Sequence, residues 1–253
     1  MRTSKRDSIT ITIFIVIASA SAWIFLKANP KDAAPTQSVD VAYCGASAAL
    51  MTTSSEVNPI SSQVTGWGLM VIAMMLPKLI VPIQGIYARS FKRSRLSSSL
   101  LFISGYVTVW MAAGMLIHNS ILALNSALPN SYFPTVGLSL VVVVWQFSPF
   151  KQRCLNKAHD HGIPAAFGWR AYSDSILLGI KHGILCVGSC WALMLLPMLL
   201  PDVHDFVMII VTFIMLSEHL EHPRIPCWRF DLRAKLFRII LAQTQISLRR
   251  IYA

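Results

Sequence analysis

Acidic residues are scarce, 11 among 253, and Asp, Glu, Lys and Arg together make up only 13% of the chain. Soluble domains usually carry about 25% charged residues, so a mostly water-facing surface is excluded. No Walker loop, zinc-protease helix, nucleophile elbow or paired-carboxylate arrangement is present, which leaves no positive case for an enzyme. Cysteine is also limited to five residues, an odd number, and Cys186 and Cys190 sit inside an apolar run. A secreted disulfide framework is therefore excluded. No internal repeat is found.

What the chain has in abundance is hydrophobic residues, 55% of the total. No segment between the apolar runs is long enough to bury a core of its own. Six runs are long enough to cross a hydrocarbon layer about 30 Å thick: 9–26, 67–87, 100–122, 132–150, 175–200 and 203–220. The expectation is an all-α polytopic transmembrane bundle of about six spans. Residues 1–26 form its first helix, 27–66 a Pro/Ser/Thr-rich and partly disordered outer loop, 67–222 a five-span domain and 223–253 a basic tail. In that tail Leu232, Leu236, Ile239, Ile240 and Ile246 fall at helical spacing among Arg233, Lys235, Arg238, Arg249 and Arg250, as in an amphipathic helix lying on the inner leaflet. The first run, basic at its start and rich in small residues at 18–22, also fits a signal peptide. Trp23 to Leu26 continue its apolar stretch, which favours a retained helix.

If the chain changes side at each span, every Lys and Arg except Lys27, Lys31, Lys78 and Lys181 falls on one side. The positive-inside rule then places both termini in the cytoplasm. The net charge of +11 is thus a topology signal and not a nucleic-acid surface, and the bilayer is the first partner.

His182, Cys186, Cys190 and Met194 recur every four residues in the fifth run, which aligns them on one helix face. Imidazole, thiol and thioether are metal-capable, and the sulfur ligands suit cuprous copper. Gly179 and Gly183 share this face, so close helix packing with cysteine as a small apolar residue is the competing reading. The second run holds Met70, Met74 and Met75, then Pro77 and Lys78. Counting about 1.5 Å per residue from the outer ends sets Met74 and Met75 near the depth of Cys190, with Lys78 near Cys186. Lys78 has no carboxylate partner in sight and is expected to use carbonyls freed by Pro77 or to repel cations. Lys181 or His182 is expected to pair with Glu218, near the inner end of the sixth run. Cys154, His159 and His161 form a weaker cluster in a basic loop.

Trp67 through Pro77 with its Ala-Met-Met-x-Pro, Gly105-Tyr106 with Trp110, Gln146 to Cys154-Leu155, and Cys186 through Met194 occur in this order. Together they resemble the predicted metal-binding integral membrane proteins, a bacterial inner-membrane family. The resemblance implies a polytopic protein in which Met74, Met75, Cys186, Cys190 and Met194 bind a metal, with copper chaperoning or insertion as its role. The chain departs from the family pattern at Ser189 and Ala158, where cysteines are often found.

The leading expectation is a non-enzymatic protein that handles copper(I) along a Met/Cys face between the second and fifth spans and passes it to a metalloprotein or metallochaperone. A second is a proton-coupled small-solute transporter using Lys78, Lys181, His182 and Glu218. The third is a structural subunit of a membrane complex with no metal. Oligomeric state is not legible.

Overall fold

In a computed structural model the described residues are 5–28, 59–90, 94–127, 133–158, 168–200, 203–221 and 225–228, with single positions beyond. The outer loop over 29–58, His159, His161 and nearly all of the proposed C-terminal helix lie outside them. The described residues form helices and no strands: α1 Lys5–Ala28, α2 Pro59–Met75, a 3-10 turn Leu76–Leu79, α3 Ile80–Arg89, α4 Arg95–Ala127, α5 Phe133–Gln146, α6 Pro149–Ala158, α7 Gly168–Leu199 and α8 His204–His219.

The regions 6–28, 64–89, 95–124 and 170–199 are each long and apolar enough to cross a membrane. Two of the six expected spans are shorter. At about 1.5 Å per residue, α5 and α8 are only about 21 and 24 Å long. The fourth run was expected to continue to 150, but α5 ends at Gln146. Pro149 cannot donate back to the Trp145 carbonyl, which takes the Ser148 amide at 3.1 Å instead. The Ser148 hydroxyl then accepts the Phe150 amide at 3.1 Å. Serine before proline is a helix-start signal, so the chain begins α6 rather than prolonging α5. α2 also begins earlier than expected, at Pro59, because proline in a first turn costs no hydrogen bond.

The most extensive contact joins α4 and α7, and glycine allows it. A Cβ on Gly179 would lie 2.2 Å from the Phe102 carbonyl oxygen, and one on Gly105 would lie 2.7 Å from that of Ile176. The small-residue face expected on the fifth span therefore does pack. α1 lies against α2, the 3-10 turn and α3, burying Ile15, Ser19, Ala22 and Leu26 at helical spacing. Asp7 of α1 faces Arg95 of α4 at 3.5 Å, and Lys27 faces Asp205 at 4.0 Å at the other end. α1 and α4 thus start at one end of the bundle and α8 at the opposite end.

α6 is not a solvated loop. Arg153 and Lys157 are exposed, but Lys151, Gln152, Cys154, Leu155 and Ala158 are buried. Trp145 Nε1 donates to the Gly188 carbonyl at 3.1 Å, and a Cβ on Gly188 would come 2.8 Å from Cys154 Sγ. The end of α5 and α6 therefore sit level with the middle of the fifth span. Outside, Phe14, Leu116, Leu140, Ile184 and Phe206 are exposed, while Lys78, Lys151 and Glu218 are buried. Such an inversion of the soluble pattern suits a protein whose solvent is lipid.

Gly179→Ala places a methyl group against backbone and should cost about 1–3 kcal/mol. Gly85→Ala, with nothing within 4 Å of the added carbon, serves as the control. Thermal unfolding in detergent should separate the two, and equal midpoints would refute the glycine contact.

Candidate metal centre

Pro77 is the origin of the site's geometry. It has no N–H for the Ala73 carbonyl one turn before it. The Ser19 hydroxyl of α1 supplies the missing donor at 2.7 Å, so the first helix closes the gap in the second. The backbone continues as the Leu76–Leu79 turn with Pro77 in its first positions, and this tighter turn directs Lys78 inward, leaving it 4% exposed. The expectation that Lys78 would use carbonyls freed by the proline is thus corrected, because a serine takes the freed group.

Lys78 Nζ instead lies 3.0 Å from Cys190 Sγ and 3.7 Å from Cys186 Sγ. Tyr106 of α4 donates its hydroxyl to Cys186 Sγ at 3.1 Å, and Ser189 Oγ stands 3.3 Å from Cys190 Sγ. Both sulfurs are free thiols. Met74, Met75, Cys190 and Met194 are fully buried and belong to one packed cluster with Cys186, Met70, Met208 and Met215. Thiol and thioether are the ligand types that soft monovalent copper prefers. Among the described residues no group of three His, Cys, Asp or Glu side chains is placed to hold a metal ion.

His182 shares the ladder's face and is buried, but its ring lies among aromatic ones, 5.9 Å from Phe102 and 6.0 Å from Tyr106 between centroids. Lys181 is exposed. Glu218 pairs with neither. Its carboxylate accepts Lys151 Nζ at 2.8 Å and the side-chain amide of Gln146, and Lys151 also donates to Gln146 Oε1 at 2.6 Å. This corrects the expected Lys181 or His182 pairing. The α5–α6 turn reaches the end of α8, whereas Lys181 points away. Lys78 thus meets the cysteines and Glu218 meets Lys151 and Gln146, while Lys181 is exposed. Cys154 packs behind Gly188, where burial pushes its thiol up against the pull of Lys157, which makes it a poor nucleophile at neutral pH.

The sequence reading did not single out Tyr106, Lys151 or Ser189 for these roles, nor Met208 and Met215. Their signal was periodic. Phe102, Tyr106 and Trp110 are four apart on α4, and Met208, Val211, Met215 and Glu218 form one inward stripe on α8.

The Lys151–Glu218 pair is almost completely buried, with side chains 1% and 2% exposed. Lys151→Met leaves a carboxylate uncompensated and should cost about 3–5 kcal/mol, most of it regained in the Lys151→Met/Glu218→Leu double variant. Denaturant unfolding of the two variants measures this, and equal losses would show that the charges are not coupled.

Comparison with known proteins bears on this geometry directly. No curated protein and no solved structure matches the chain. A family model described as PpoB2, copper chaperone, matches residues 64–229. That stretch holds α2 through α8, hence Lys78, Tyr106, Cys186 and Cys190. The chain belongs to this copper-chaperone family.

Proposed function

We propose that the protein holds a cuprous ion on Cys186 and Cys190 within a bacterial inner membrane and delivers it to a metalloprotein partner. The observation that carries this reading is the pair of buried sulfurs held by one lysine inside a cluster of methionines. Copper is the cargo here, and membership of a copper-chaperone family supports a copper-related role. Free ion in hydrocarbon is prohibitively costly, so the metal has to move from ligand to ligand. Met194 lies one turn from Cys190 on the same face, and Met70, Met74 and Met75 of α2 belong to the same buried cluster. His182 lies one turn to the other side and completes the ladder.

Membership of a copper-chaperone family supports a non-catalytic role. The bias of Lys and Arg to one side supports cytoplasmic termini. The four long apolar regions support membrane residence.

The test is a titration of the detergent-purified protein with cuprous ion against a competing chelator. Wild type should bind tightly and near stoichiometrically, and Cys186→Ser/Cys190→Ser should weaken binding by at least about a hundredfold. Equal binding by the two proteins would remove the thiols from the site.

A further inference from the structure

We propose that Lys78 makes the sulfur pair selective for monovalent soft cations by setting the charge of the pocket. This inference rests on the reading of Cys186 and Cys190 as the ligands.

A thiol binds metal as its thiolate, so the liganded pair carries two negative charges. Lys78 Nζ, 3.0 and 3.7 Å from the two sulfurs, contributes one positive charge. Two more buried charges, those of Lys151 and Glu218, act on this triad. They compensate each other at 2.8 Å. Tyr106 donates to Cys186 and Ser189 stands beside Cys190, and both are neutral. The pocket's charge is therefore that of the metal, less two, plus one.

A monovalent ion makes this sum zero. A divalent ion leaves one uncompensated positive charge among side chains that are at most 5% exposed, where water cannot solvate it. It would also be repelled twice as strongly by the nearby ammonium. With the lysine made neutral the match reverses, because a divalent ion then neutralises the two thiolates and a monovalent ion leaves a net negative charge. Zinc also prefers four ligands in a tetrahedron, a geometric preference that removing Lys78 does not alter. The change in relative affinity on neutralising Lys78 therefore isolates the contribution of charge.

The experiment measures silver(I) and zinc(II) affinity of the detergent-purified full chain by chelator competition. It compares wild type with Lys78→Gln and Lys78→Leu, neutral variants of different polarity that add no sulfur ligand. Both should lower the silver-to-zinc affinity ratio by at least about tenfold. Tyr106→Phe removes a neutral donor and should weaken both metals alike, leaving the ratio in place. An unchanged ratio in whichever Lys78 variant retains the wild-type helical content and unfolding midpoint would overturn the proposal. If wild type binds silver through Cys186 and Cys190 and the ratio ignores Lys78, only the valence filter fails. If wild type binds neither metal, the reading of the thiols as ligands fails with it.

Discussion

A lysine closed off from water inside an apolar bundle has to be compensated, and the groups that meet Lys78 are two sulfur atoms. A carboxylate would have made an ordinary ion pair, like the one Lys151 forms with Glu218. Thiols differ because they are neutral until something draws their protons away. On the proposed reading, the same contact that makes a buried lysine tolerable also sets the charge beside the metal ligand pair.

That arrangement depends on two local departures from regular helix packing. Pro77 interrupts the second span, and the tight turn after it aims Lys78 at the fifth. Ser19 satisfies the Ala73 carbonyl left over, which joins the first helix to the site without its touching the sulfurs. Gly105 and Gly179 let α4 and α7 approach until Tyr106 reaches Cys186. With larger residues at those positions the hydroxyl would be held away from the sulfur. α5 ends early, and α6 packs on α7 and places Lys151 against Glu218. The interior thus contains two charge clusters, one complete in itself and one open to a cation.

Much of this was legible because it depends on periodicity. The four-residue ladder on the fifth span is buried as a face, and the depth count that set Lys78 near the cysteines is matched by contact between them. The partner of Glu218 was not legible, since counting along spans assumes that each one crosses fully. Ser148-Pro149 carried the opposite message, a helix start inside an apolar run, and hydropathy averaged over a window conceals it. Tyr106 was missed as a sulfur donor because a hydroxyl's partner across a helix interface depends on how closely two backbones approach. The methionines of α8 were passed over for a related reason: their spacing of seven identifies an inward face but does not say what that face meets.

Burial also constrains delivery. Cys190 is wholly enclosed and Cys186 nearly so, hence a partner protein cannot reach either sulfur directly. On the proposed reading the thiols are the store and the thioethers are the route. Thiolate binds cuprous ion as a charged ligand, while thioether binds it as a neutral and weaker one, so an ion leaving the pair moves to ligands that release it more readily. The cost of that step is electrostatic as well. Once the ion leaves, the pocket holds two sulfurs and one ammonium, and recovering neutrality requires one proton on the pair. On that reading, copper exit and proton entry are linked by charge balance. A buried lysine beside two thiols suits a store that must also let go, because it stabilises the emptied pair as well as the filled one.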